Sequence, residues 1–344
     1  MDPRGPAIID FVEAAYDLQP EPSDWLAALM RTGAPILDFG LGTFALTLVR
    51  PPKPGPVVIE HAQLELAPAG LAERLARLQG ELDMRLLWPI SRPGVPKTLS
   101  EVTRDHAPGA FQHIMRHFDF AEDGLGVSAC GPGGRGIYLI VPLPKTRSLT
   151  PRARERWQML AAHLGAGYRL RHAALSASET SGTDLPHGAE AVIDPSSFRV
   201  TDARGPAKSR GGLDALREAA LVVDRARGRM RSTEPEKALE LWRALVRGRW
   251  STIDWFDSDG RRYVLGVPNA FGVSDLRGLT EREFQVVAYA ASGQINKMIG
   301  YHLGISKGRV SSLLGSAMRK LGVNNRAHLV RLFRGLDCGV EPSD

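Results

Sequence analysis

Ten lysines and arginines fall between Leu276 and Leu336, at positions 277, 282, 297, 307, 309, 319, 320, 326, 331 and 334. Against them stand only Glu281 and Glu283, so the segment carries a net +8, and since the 344-residue chain totals +6 the remainder sums to −2. Cations gathered into one short stretch of a near-neutral chain suit a polyanion, because Lys and Arg that neutralise a phosphate backbone release its condensed counterions. Phosphate anchoring is the first chemistry this sequence offers. The plain alternative is a solvated basic bundle that aids solubility, and the elements carrying the charges decide between the two.

Those elements are helical. Thr280 followed by Glu283 forms a capping-box signature, and Phe284, Val287 and Ala288 recur at helical spacing until Ser292-Gly293. Ile295, Met298 and Ile299 line one side of a second short helix, which Leu303-Gly304 ends with a sharp turn. Ser306 caps a third helix with Val310, Leu313, Leu314, Ala317, Met318 and Leu321 inward. Gly322 stops it, and a fourth helix is expected from about Asn325 to Phe333. This order is that of a helix-turn-helix, and it puts DNA binding ahead of mere solubility.

At Leu279, Thr280, Arg282, Glu283, Gly293, Asn296, Lys297, Ile299, Leu303, Ile305, Ser306, Val310, Lys320, Leu321, Val323, Arg326 and Leu329 the segment resembles the C-terminal domain of LuxR/NarL-type regulators. The resemblance implies a four-helix domain over 276–336 whose third helix (306–321) enters the major groove and whose fourth can pair two protomers. The DNA-facing set it implies is Lys297, Ser306, Lys307, Arg309, Val310, Ser311, Ser312, Gly315, Arg319, Lys320 and Arg326. The sequence departs from the family at Arg309, where a Thr is usual, and at Leu313, where a His is usual. The exposed reading positions fall on Ser311, Ser312 and Gly315, which make weak groove contacts or none. Backbone anchoring is expected to survive better than base readout.

The rest of the chain sets limits. Cys130 and Cys338 cannot build a disulfide framework and suggest free thiols in a reducing compartment. No secretory signal and no run of 18 apolar residues stand in the sequence, so a cytoplasmic protein with no membrane partner is expected.

Residues 1–175 read as an α+β domain. Helices are expected at about 7–18 and 23–32, then strands within APILDFGLGTFALTLVR and VVIEHAQLEL, separated by Pro51, Pro52, Pro54 and Pro56. Helices near 69–88 and 108–118 follow. GLGVSACGP and GIYLIVPLP form a hairpin around Gly131, Gly133, Gly134 and Gly136, and Thr150-Pro151 opens a long helix to Leu175. The order, clearest over 124–175, resembles a GAF domain. After a Ser/Thr/Gly-rich linker (176–187), residues 188–273 offer two short strands, helices at 211–228 and 234–247, and a hairpin about Asp259-Gly260. That order resembles a reduced PAS domain. The expected architecture is therefore multidomain: α+β GAF-like and PAS-like sensor domains, then an all-α helix-turn-helix.

Several motifs point elsewhere on first sight. Gly124-Leu125-Gly126 and Gly131-Pro132-Gly133-Gly134 lack the helix and the Lys-Ser/Thr of a phosphate loop. Asp38-Phe39-Gly40 lacks every other kinase element and is read as a strand bend. Trp242, Trp250, Trp255 and Phe256 are read as core rather than as a ligand box. His113 and His117 stand at the i, i+4 spacing that lets two imidazoles meet one cation. No Glu follows His113 as in zinc proteases, and Phe111, Ile114, Met115 and Phe118 mark an ordinary amphipathic helix, so no metal is expected. No nucleophile, base or metal set converges, and neither a catalytic site nor a cofactor is expected.

Trp157, Leu160, Ala161, Leu164, Tyr168 and Leu175 share one side of the long helix. Packing onto its own sheet accounts for some of them, and the far half of a helix of about 40 Å, longer than a compact sheet needs, is expected to pair with a second copy. The favoured function is a dimeric transcription regulator whose N-terminal domains sense or dimerise and set the geometry of the DNA-binding pair. Its expected partners are double-stranded DNA, a second copy, a small-molecule or protein signal, and RNA polymerase. The pattern lacks the βαβ repeats of a phosphorylated receiver and any acyl-homoserine-lactone pocket signature. The runner-up is a protein-interaction or assembly module whose helix-turn-helix has lost specific readout; a small-molecule enzyme comes third.

Overall fold

The computed structural model describes residues 2–330 apart from 19, 21, 52–54, 66, 92–95, 107–108, 132–133, 178–184, 248, 270–278 and 322. Cys338, Arg277, Arg331, Arg334, Pro52, Pro54, Gly133, the side chain of Leu175 and the end of the fourth expected helix lie outside the described residues.

The first sheet has the order β2-β1-β5-β4-β3, built from β1 (Thr43–Val49), β2 (Val58–Glu65), β3 (Lys97–Thr98), β4 (Asp123–Ser128) and β5 (Arg135–Leu143), with every pairing antiparallel. Side chains alternate across a strand, so Phe44, Leu46, Leu48 and Tyr138 meet Leu75, Leu78, Ile114 and Phe118 of α3 (Leu71–Glu81) and the region of α6 (Ala110–Met115). The opposite face, with Ala45, Ile137, Leu139 and Val141, packs on α1 (Ala7–Tyr16), α2 (Pro22–Leu37) and α7 (Pro151–Ala177). Because both faces are covered, β1 and β5 read as apolar runs rather than as alternations.

Two local expectations are corrected here. Residues 34–37 continue α2 instead of opening a strand. Asp38 then makes the turn, its Oδ1 accepting from the backbone N–H groups of Gly40, Leu41 and Gly42 at 2.8, 3.0 and 2.8 Å. Asp38-Phe39-Gly40 is therefore a helix-to-strand corner. Sequence reading also passed over β3 and α5 (Leu99–His106), which are set by a second capping box: Glu101 N–H donates to Thr98 Oγ1 at 3.3 Å and Thr98 N–H to Glu101 Oε2 at 3.2 Å. The short α4 (Leu87–Ile90) lies between α3 and β3.

Helix α7 starts as expected, with Ala153 N–H donating to Thr150 Oγ1 at 3.2 Å and Pro151 in the first turn. Its 27 residues span about 40 Å. Trp157, Leu160, Ala161, Leu164 and Leu170 are all buried within this chain, and α1 crosses so closely at Gly167 that a Cβ there would stand 1.9 Å from the Ala15 carbonyl oxygen. Trp157, Leu160, Ala161 and Leu164 are thus taken up by this chain's own core rather than by a second copy. The first sheet occupies one side of α7, while α1 and the C-terminal helices occupy the other. Only Tyr168 of that set is half-buried.

The second sheet has the order β7-β6-β9-β8, from β6 (Ala191–Ile193), β7 (Val200–Ala203), β8 (Trp250–Phe256) and β9 (Arg262–Pro268). Gly260, at φ +75°, turns the β8–β9 hairpin. Helices α8 (Arg210–Arg227), α9 (Met230–Thr233) and α10 (Pro235–Leu241) complete the unit. Trp242 is fully buried and joins the α1–α7 core, and Trp250 is buried under α8; Trp255 is half-buried and Phe256 exposed.

Candidate nucleic-acid interface

Three helices make the C-terminal unit: α11 (Glu281–Ala291), α12 (Asn296–Leu303) and α13 (Lys307–Lys320), with a further helical turn over 326–330. The capping box that opens α11 is formed on both sides, Glu283 N–H donating to Thr280 Oγ1 at 3.3 Å and Thr280 N–H to Glu283 Oε2 at 2.7 Å. The same carboxylate accepts from Ser316 Oγ at 2.5 Å and Lys320 Nζ at 2.7 Å, fastening α11 to α13. Burial alone would raise the Glu283 carboxyl, but the bonds from Lys320, Ser316 and Thr280 outweigh it and hold the group down to about 2.

Gly304 ends α12 at φ +63°, and a Cβ there would stand 1.9 Å from the Leu245 carbonyl oxygen. Conformation and crowding both demand glycine. Ser306 then caps α13, its Oγ accepting from Arg309 N–H at 3.2 Å. Val310, Leu313, Leu314 and Ala317 face the core of the unit, and Lys307, Gly308, Arg309, Ser311, Ser312 and Arg319 face outward.

The sequence-predicted set divides on this frame. Lys307, Arg309 and Arg319 are exposed cations with no ion-pair partner among the described residues. Ser311 is exposed, donates to the Lys307 carbonyl at 3.2 Å and accepts from Asn296 Nδ2 at 3.1 Å. Ser312 is exposed and Gly315 half-buried. The other members have neighbours in the fold. Lys297 pairs with Glu155 of α7, Lys320 with Glu283, and Arg326 donates to Asn296 Oδ1 at 2.8 Å and to the Gln294 carbonyl. Val310 is fully buried, so its side chain cannot face a groove; it belongs to the core because it sits at the inward i, i+3, i+4 positions with Leu313 and Leu314. Ile295, expected on the inner side of α12, is instead 60% exposed just before that helix.

Sequence reasoning missed the attachment of this unit to the rest of the chain. Ile299 and Leu303 of α12 join the C-terminal core, whereas Met298 and Tyr301 join the core formed by α1, α7 and Trp242. The Tyr301 hydroxyl donates to the Leu239 carbonyl at 2.6 Å, with the Trp242 carbonyl at 3.1 Å, and His163 Nε2 lies 2.8 Å away. Tyr16 Oη lies 2.9 Å from His163 Nδ1. A neutral imidazole has one donor and one acceptor, so the chain runs Tyr16 O–H to Nδ1, Nε2–H to the Tyr301 oxygen, and Tyr301 O–H to the backbone. Burial outweighs a hydrogen bond to the Trp242 backbone and, with Arg243, pushes His163 down to about 3; burial with Arg169 and His163 does the same to His302. The available signal was a lone histidine in the apolar stretch of α7.

Residues 277–333 match the bacterial regulatory proteins of the luxR family. The chain matches no curated protein. No helix among the described residues is long and apolar enough to cross a membrane.

Proposed function

We propose that the chain is a DNA-binding transcription regulator whose N-terminal units hold, and through that hold control, a helix-turn-helix of luxR type. The observation that carries this reading is the double role of α12: its Ile299–Leu303 side belongs to the DNA-binding unit and its Met298–Tyr301 side to the body. Any rearrangement of α7 against α1 must therefore reach the helix preceding the recognition helix. Helix α13 keeps Lys307, Arg309 and Arg319 outward, where Lys and Arg contacts to phosphates set affinity and Arg309 is the residue best suited to read a base edge.

The first sheet and its helices are read as a GAF-like sensor. Its outer face and α3 and α6 enclose an apolar cavity of about 100 Å³ bordered by Phe44, Leu46, Leu78, Ile114, Phe118 and Tyr138. A small apolar signal is the ligand it suits. The second sheet, in the PAS-like position, reads as a coupling unit. Pairing of two copies would fall to surfaces other than the buried face of α7, with the stretch after Asn325 the one that the family resemblance implies, and RNA polymerase remains the partner of an activator.

The alternative, an assembly module with lost base readout, draws on Ser311, whose hydroxyl is tied to Asn296 and Lys307, and on Ser312 and Gly315 beside it. A salt series of duplex binding by the full-length protein separates the two. The three unengaged cations of α13 among the described residues predict a slope of log K against log salt of about −3 per protomer. A slope near zero would remove DNA from the account, and an equal slope with no preferred sequence would favour the assembly reading.

A further inference from the structure

Away from the DNA-binding unit, the structure brings together three side chains that the sequence keeps apart. Glu81 is the last residue of α3, His113 lies on α6, and His117 lies in the turn two residues past the end of α6. His117 Nε2 stands 3.2 Å and His113 Nε2 4.0 Å from the same Glu81 Oε2, and one donor atom from each residue lies within 4.8 Å of the others. The two imidazole rings meet edge to face at 5.8 Å. We propose that Glu81, His113 and His117 form a three-ligand site for a divalent ion of the zinc class, which clips α3 to α6 over the apolar cavity.

Four observations converge on it. Two imidazole nitrogens and one carboxylate oxygen are the ligands that Zn²⁺, Co²⁺ and Ni²⁺ take, whereas Ca²⁺ and Mg²⁺ require shells of oxygen. Tetrahedral Zn²⁺ with bonds of about 2.0–2.1 Å needs donors roughly 3.4 Å apart, so modest rotations of partly exposed side chains complete the geometry. Glu81 and His117 both stand at carbonyl ends of helices, where partial negative charge favours a cation and disfavours a bare carboxylate. The end of α6 and the turn after it bring the His113 and His117 rings to 5.8 Å, and α3 supplies the third ligand from the neighbouring helix.

The site has a structural consequence. On their inner sides α3 and α6 contribute Leu78 and Ile114 to the cavity, and Leu82, the residue after Glu81, borders it as well. At the other end of α3, Arg74 pairs with Asp119. A bound ion would close the second end of the same seam, so its occupancy would restrict how far the two roof helices can part. Occupancy of the cavity and of the ion site would then be coupled.

The test uses the full-length protein stripped with a chelator and titrated with Zn²⁺ against a chromophoric competitor. One ion per chain is expected, bound at roughly micromolar Kd, with a higher thermal midpoint when loaded. His113→Ala with His117→Ala, and separately Glu81→Gln, should each weaken binding at least ~10-fold. His61→Ala, an exposed histidine of β2, should change nothing. Should a variant misfold by circular dichroism, the wild-type protein carries the test: saturating Zn²⁺ should protect His113 and His117 from diethyl pyrocarbonate while His61 continues to react. Stoichiometric uptake that survives the double variant, binding weaker than about 1 mM, or unprotected His113 and His117 would overturn the site.

Discussion

Helices α12 and α13 are neighbours in the chain, separated by one turn, yet they live in different surroundings. Residues Met298–Leu303 of α12 are all buried, shared between two cores, and anchored through Tyr301 to two backbone carbonyls and a histidine. Helix α13 buries one stripe and turns hydroxyls, Gly308 and three unengaged cations to solvent. A helix apolar on one stripe rests on one partner, and a helix apolar nearly all round must have two. The difference teaches that the unit of recognition is not a free-standing module: its second helix is interior to the whole molecule.

The comparison breaks most visibly at the turn between the two. Gly304→Ala adds left-handed strain of about 1–2 kcal/mol and a clash with the Leu245 carbonyl that costs about 1–3 kcal/mol more. A loss near 4 kcal/mol in urea unfolding is expected; a change under 1 kcal/mol would mean that α12 and the body are not in contact. Acid acts on the same seam. Below about 6.5 the unfolded chain protonates His163 and His302, whereas the folded chain resists down to about 3. Their contribution is therefore complete well above pH 6.5 and drains as pH falls, by on the order of 1 kcal/mol per histidine between pH 6.5 and 5.5. Denaturant midpoints across that window should fall, and a flat profile would show the two rings to be solvated.

The exposed side is sharpened by smaller effects. Arg309→Ala should cost about 1–2 kcal/mol of duplex affinity and shallow the salt slope by about one unit. Lys320→Ala should instead loosen α11 from α13 through Glu283, lowering the melting temperature with the slope unchanged; equal slope losses would put both residues on phosphates. Smallest of all, Gly315→Ala should stabilise α13 by roughly 0.5–1 kcal/mol, since the nearest atom to a Cβ there is Arg319 Nη1 at 3.8 Å. Thermal unfolding that moved downward would reveal packing on α13 that its exposure does not suggest.

What could be read in the sequence was whatever is local. Thr280 with Glu283, Ser306 before α13, Thr150-Pro151 before α7 and Asp259-Gly260 in the hairpin carry their geometry within four residues. The Thr98/Glu101 box was equally local and overlooked, because Leu99–His106 is only two turns long and carries just two apolar side chains, Leu99 and Val102. Long-range facts were not legible in this way. Met298 and Ile299 are adjacent apolar residues that go to different cores, and nothing in their order says which. Leu160 and Leu164 satisfied the pattern of a dimer seam equally well as that of a central core helix. Glu81 became a partner of His113 and His117 only once α3 was laid beside α6.

The Tyr16–His163–Tyr301 chain also has a bearing on synthesis. Its members are separated by 147 and 138 residues, so the first sheet and α7 leave the ribosome long before Tyr301 is made. At typical elongation speeds of about 5–20 residues per second, His163 waits roughly 7–28 s for α12, and the apolar surface around Trp242 roughly 3–12 s. During that interval the nascent protein presents an open socket shaped for its own C-terminal helix. Translation speed between the second sheet and α12 thus becomes a determinant of how much chain reaches the native state, and a truncated product ending before Asn296 would carry that socket permanently.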